Sequence, residues 1–142
     1  MKTNLSGMIL AAGFGKRMLP LTKNLPKPLL DVKGVTLLDN SINFLKKIGC
    51  NQIVINSHFK YSKIKESVNN RKDKNMIQLI YEKEILDTGG GVKNAIPYFK
   101  NENIIIINSD IFWLDQNIND VKVILEEYYK TKNPHLLLVD KK

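Results

Sequence analysis

The run of four isoleucines at residues 104–107 constrains this 142-residue chain more than any other feature. Successive side chains of a strand point to opposite faces, so four β-branched residues in a row present apolar groups to both. Both faces then need cover, and the run reads as a central strand of a parallel sheet with helices on each side. The chain supplies the alternation that such a sheet requires. Met8, Ile9 and Leu10 form a short apolar run ending at Ala11-Ala12-Gly13, as a buried first strand does. Leu37, Leu38, Ile42, Leu45 and Ile48 share one helical face over residues 36–48, and Gly49 supplies the stop. Residues 52–56 (QIVIN) read as a buried strand, 61–69 as a helix, 77–81 as a third strand and 90–96 as a short helix closed by Pro97. After the isoleucines, Val121, Ile124, Leu125 and Tyr128 mark a further amphipathic helix, and residues 135–139 a last strand. The reading is a single α/β domain over residues 1–142, a Rossmann-like three-layer sandwich around a mainly parallel sheet with right-handed crossovers. Ligands of such sheets sit beyond the C-terminal strand ends, which directs attention to the loops after Leu10, Tyr81 and Ile107.

The loop after Leu10 is the most unusual of the three. Gly13 and Gly15 let backbone N–H groups approach an anion, and Lys16 and Arg17 follow at once. Strand-to-helix loops often carry glycine for purely structural reasons, so the pair alone leaves that reading open. Two familiar phosphate motifs do not fit: a dinucleotide fingerprint needs a third glycine where Met18 stands, and a P-loop needs Ser or Thr where Arg17 stands. The whole stretch, residues 13–28, reads GFGKRMLPLTKNLPKP. Pro20, Pro26 and Pro28 keep it out of a helix, and Lys27 is held between two of them. A stiff loop carrying a cation at a fixed position makes sense as a preorganised phosphate clamp.

Asp87-Thr88-Gly89-Gly90-Gly91 lies between the third strand and a short helix. Three glycines cost backbone entropy. One explanation is a tight turn and helix start with Thr88 as N-cap, and the other is close approach of a base or ribose to bare backbone; the two are compatible. Asn108-Ser109-Asp110 follows the isoleucine strand, so Asp110 emerges on the same rim as the first loop. A helix cap is one use for it. The other is Mg²⁺, a hard ion that keeps several waters and needs only one or two protein carboxylates beside bound phosphates.

The residues LAAGFGKRMLPLTKNLPKPLL resemble the opening motif of the sugar-1-phosphate nucleotidyltransferases, G-x-G-x-R followed by P-x-T and P-K-P. LDTGGG and NSDIFW resemble in particular the N-acetylmuramate-1-phosphate uridylyltransferase branch, and mannose-1-phosphate guanylyltransferase-like members are similar. The resemblance implies the nucleotide-diphospho-sugar transferase fold and condensation of a nucleoside triphosphate, UTP or GTP, with a sugar 1-phosphate, releasing pyrophosphate. It implies that Arg17 binds the triphosphate and stabilises the transition state, that Lys27 contacts phosphate at the reacting centre, and that Asp110 holds Mg²⁺. The nucleotide-binding set it implies is Leu10, Ala11, Ala12, Gly13, Gly15, Lys16, Asp87, Thr88, Gly89 and Gly90, with Asn108 toward the second substrate. Family members continue past Lys142, so a second metal-binding aspartate and most of the sugar pocket are expected beyond the present sequence.

Competing readings are weaker. The formal charge of +8 admits a nucleic-acid module, but the lysines are scattered and only Arg17 and Arg71 are arginines. The Lys-rich residues 60–74 read as a solvated helix face and loop. A non-catalytic nucleotide-binding or regulatory domain of the same fold is the other alternative. His58 lacks a nearby nucleophile and His135 begins the last expected strand, so both are expected to be structural. Phe112 and Trp113 are expected to pack at the core or rim, and Cys50 to be a buried thiol rather than a nucleophile. No apolar run approaches the roughly 20 residues of a membrane helix and no signal peptide opens the chain, which leads to the expectation of a cytoplasmic protein without membrane partners.

Overall fold

The computed structural model describes residues 4–137. Its centre is a four-stranded parallel sheet in the order β5-β4-β1-β6. The strands are β1 (Leu5–Ala11), β4 (Gln52–Ser57), β5 (Ile77–Tyr81) and β6 (Asn103–Asn108). A two-residue pair, β2 (Asp31–Val32) and β3 (Val35–Thr36), forms a separate small hairpin. Four helices complete the fold: α1 (Leu37–Lys47), α2 (Tyr61–Asn69), α3 (Thr88–Ala95) and α4 (Asn117–Thr131).

The strand order carries functional meaning. From β1 the chain proceeds through α1 to β4 and through α2 to β5, always in one direction, and then crosses back to lay β6 against the other side of β1. The gap between the C-terminal ends of β1 and β6 is therefore a switch point, where loops leave in opposite directions and a crevice opens. The helices respect the reversal. Ile9, Ile53, Ile55 and Ile107 pack in one cluster with Leu38, Ile42 and Leu45 of α1, Ile64 of α2 and Val121 of α4. On the opposite face Met8, Val54 and Ile80 pack against Ala95 and Val92 of α3.

Most helices and strands fall within a residue or two of the sequence expectation, because their apolar periodicities are clean. Thr36 begins α1 by accepting a bond from Asp39 N at 3.0 Å. Two expectations need correction, and one element was not foreseen. Among the described residues the isoleucine strand stands at the sheet edge rather than at its centre: β6 pairs only with β1 there, and β1 and β4 are the strands buried along their length. Ile106, in register with Met8 on the α3 face, is 42% exposed. A run of isoleucines expresses strand preference and appetite for burial, not position in the sheet. Residues 135–137 form no strand, His135 is exposed, and Leu138 and Val139 lie outside the described residues. The β2–β3 hairpin was not anticipated; its turn residues Lys33 and Gly34 both take positive φ, as the tightest hairpin turns require.

The Lys-rich segment is solvated as expected, but Arg71 within it is not. Its guanidinium bonds Asp39 of α1, Asp73 and Asn43. Burial opposes its charge, yet the bonds to Asp73 and Asp39 hold the guanidinium above its usual range, while Arg71 and then Lys46 hold the Asp73 carboxyl well below the usual carboxylate range. This network staples α1 to the turn after α2.

Candidate active site

A cleft of about 590 Å³ opens at the switch point. Its wall begins with Leu10, Ala11, Ala12 and Gly13 at the end of β1, continues through Gly15, Lys16, Arg17 and Lys27, and closes with Leu86, Asp87 and Thr88 on one side and Asn108 and Asp110 on the other. All three loops singled out from the sequence thus meet in one cavity.

The first loop is built to hold its shape. Gly15 has φ 65°, and a Cβ there would stand 3.0 Å from Thr22 Cγ2 and 3.2 Å from Lys27 Cβ. Thr22, almost fully buried, donates from Oγ1 to Gly15 O at 2.8 Å, and Met18 N donates to the same carbonyl at 2.9 Å. Pro26 is fully buried and Pro28 buried, anchoring the short 3-10 turn Lys27–Leu29. The loop therefore folds back so that Lys27 lies beneath Gly15, and Lys27 Nζ reaches Asp110 Oδ2 at 2.8 Å. Both side chains are partly exposed, so the ion pair adds little stability; its importance is that it fixes the two loops within one ligand's reach. Arg17 is exposed at the cleft and makes no ion pair among the described residues, while Lys16 Nζ lies 5.2 Å over the Phe14 ring.

Asp110 is positioned from two sides. Ser109 N donates to Leu10 O at 3.1 Å, extending the β1–β6 ladder to the cleft edge. Downstream, Asn40 of α1 donates to Trp113 O at 2.9 Å and accepts from Trp113 N at 2.7 Å. The Trp113 ring stacks on Phe44 at 4.4 Å, so the aromatic after Asp110 packs on the core.

The glycine triplet differs from its expectation. It is not a tight turn: Gly89, Gly90 and Gly91 lie inside the first turns of α3, the N-cap position is Asp87 rather than Thr88, and no side chain caps the helix. Asp87 and Thr88 line the cleft, whereas Gly89 and Gly90 do not. Gly91 serves packing. A Cβ there would stand 2.9 Å from Asn56 Nδ2 and 3.3 Å from Glu82 Oε1.

Glu82 is the residue that sequence reasoning missed: between Tyr81 and Lys83 it resembles any solvated loop acid. Asn56, with His58 at the end of the second strand, invites a catalytic reading in the sequence, but nothing there pairs it with Glu82. Both are 3% exposed. His58 is structural, with Nδ1 donating to Glu82 O at 2.7 Å and its ring edge-on to Phe14. Cys50 is buried, and burial pushes its thiol up to about 12, which makes it a poor nucleophile. No cluster of three or more His, Cys, Asp or Glu that could hold a metal occurs among the described residues, nor any helix long and apolar enough to cross a membrane.

Known proteins resemble this chain over most of its length. The chain is 32% identical over 110 residues to the D-glycero-α-D-manno-heptose 1-phosphate guanylyltransferase of Aneurinibacillus thermoaerophilus, covering 78% of this chain and 48% of the relative. It is 36% identical over 110 residues to the N-acetylmuramate α-1-phosphate uridylyltransferase of Neisseria meningitidis, covering 75% and 47%. The chain therefore spans about half the length of these curated relatives. Among solved structures, HddC from Yersinia pseudotuberculosis, crystallised with GMP-PN, superposes with a TM-score of 0.69 at 28% identity over 87% of this chain and 53% of its own. A UDP-glucose pyrophosphorylase at 19% identity shares the fold with a TM-score of 0.75. The Nucleotidyl transferase family matches residues 6–139, nearly the whole of a sequence whose three rim loops converge on one cleft, and the chain belongs to that family.

Proposed function

We propose that this chain is the nucleotide-binding part, a single domain over residues 1–142, of an enzyme that condenses a nucleoside triphosphate with a sugar 1-phosphate and releases pyrophosphate. The observation that carries the reading is the 2.8 Å contact of Lys27 with Asp110 across a cleft that also presents Arg17. Cations from a stiff loop and a carboxylate from a different strand end, within one ligand's reach, suit a magnesium triphosphate.

The assigned roles follow from charge and position. A sugar-phosphate oxygen attacks the α-phosphorus in line, and pyrophosphate leaves; no covalent enzyme intermediate is needed. Arg17 and Lys27 neutralise charge that develops on the phosphoryl oxygens, the stiff loop holding the Lys27 backbone in place beneath Gly15. The backbone from Leu10 to Gly13, with Gly15 and Lys16, cradles the nucleotide from one side. Asp87 and Thr88 approach it from the other, with Gly89 and Gly90 next along the chain. Asn108 faces the second substrate. Asp110, a partly exposed oxygen donor, would hold Mg²⁺. Such an ion would supply positive charge to stabilise the phosphoryl oxygens. UTP and GTP are the triphosphates to test first, since the relatives are named for both. The cytoplasm, where nucleoside triphosphates are made, is the proposed compartment.

The test is equilibrium binding of the four triphosphates, together with pyrophosphate release against a panel of sugar 1-phosphates. One triphosphate should be preferred, and R17A or D110A should lower turnover about 100-fold with circular dichroism unchanged. Absence of any triphosphate affinity, or near-normal rates in both variants, refutes the reading. Binding without turnover instead supports a non-catalytic nucleotide-binding domain of the same fold.

A further inference from the structure

We infer that Asn56 and Glu82 are a positioning pair that locks the two nucleotide-facing loops to each other, so that neither can shift alone. The inference deepens the proposed function and rests on it.

The pair forms a continuous relay. Ala11 N, at the start of the first loop, donates to Asn56 Oδ1 at 2.9 Å. Asn56 Nδ2 donates to Glu82 Oε1 at 2.8 Å. The other carboxylate oxygen, Oε2, accepts from Leu86 N at 3.4 Å, and Leu86 leads into Asp87 and Thr88 of the cleft wall. Glu82 is itself held through its backbone, its N–H donating to Ser57 O at 2.9 Å and its carbonyl accepting from His58.

Two features argue that the relay sets orientation rather than merely filling space. Glu82 is 3% exposed yet makes no ion pair among the described residues. A buried carboxylate without a cation is costly, and an apolar side chain would serve packing better. What a carboxylate adds is polarity: it only accepts, so Asn56 must turn its amide N–H₂ toward Glu82 and its oxygen toward Ala11. The direction of every bond is thereby fixed from one acid. Gly91 also leaves room for the contact, since any larger residue would press on Asn56 Nδ2.

This logic makes a polarity swap the decisive experiment. In E82Q, either orientation of the new amide leaves one donor facing a donor somewhere along the relay. In N56D, two carboxylates face each other. The double variant N56D/E82Q reverses the central bond and can keep all three, with Ala11 N and the glutamine amide donating to the new carboxylate and Leu86 N donating to the glutamine oxygen. Affinity for the preferred nucleoside triphosphate should fall about tenfold or more in each single variant and return to within about threefold in the double. A double variant no better than the worse single one overturns the proposal. If the single variants do not fold, the double decides alone: a folded double binding more than about tenfold weaker than the parent refutes it. Amide hydrogen exchange on the nucleotide-free protein separates this outcome from failure of the functional reading. E82Q should speed exchange at both Ala11 and Leu86; an effect at Leu86 without one at Ala11 overturns the relay even if no triphosphate binds.

Discussion

The two glycine-rich segments at the cleft look alike in the sequence and are built on opposite principles. In the first, Gly15 is needed for conformation: φ is 65° and the turn brings Thr22 and Lys27 beneath it. In the second, the glycines lie in a helix where any residue could adopt the backbone, and Gly91 is needed for space, because Asn56 and Glu82 lie directly against it. Glycine thus marks a strained turn in one place and a close approach in the other. The first loop is rigid through its own prolines and Thr22, whereas the second borrows its position from a buried pair on β4 and the end of β5.

Three substitutions can break or sharpen this contrast. The largest effect is expected for G15A, which combines a left-handed backbone with contacts of 3.0–3.2 Å to Thr22 and Lys27. It should cost about 2 kcal/mol of stability in urea titration and weaken triphosphate binding, because Lys27 sits under the new methyl group. An unchanged urea midpoint would mean that the turn is not under steric control. G91A should be milder: the helix gains about 1 kcal/mol of propensity, while displacement of Asn56 costs about 1–3 kcal/mol. Triphosphate affinity should fall although Gly91 does not line the cleft, and full retention of affinity would show the second segment to be insensitive to its backing. G89A is the smallest and of opposite sign. With nothing within 4 Å of the new methyl, it should stabilise by about 0.5–1 kcal/mol in the same titration. If triphosphate binding nonetheless drops, a ligand comes close to that backbone, which would give Gly89 a role the packing does not require.

Much of this site was legible because it is local. Gly13, Gly15, Arg17, Pro26, Lys27 and Pro28 occupy one contiguous stretch whose stiffness and charge can be read without knowing the fold, and the strand-end rule was enough to bring Asp110 to the same rim. Helices α1 and α2 were equally readable from their apolar spacing. The relay was not readable, since its bonds join residues 45 and 26 positions apart and nothing about a lone glutamate between Tyr81 and Lys83 announces burial. The place of the isoleucine strand within the sheet was not readable for a related reason. The isoleucines of β6 state that the strand wants cover, but only the path of the whole chain decides which strand stands at the edge.

Lys27 and Asp110 compensate each other's charge across the cleft. In the proposed complex a magnesium triphosphate would replace both partners at once, phosphate beside the ammonium and cation beside the carboxylate, and because the pair is partly exposed that exchange would cost little.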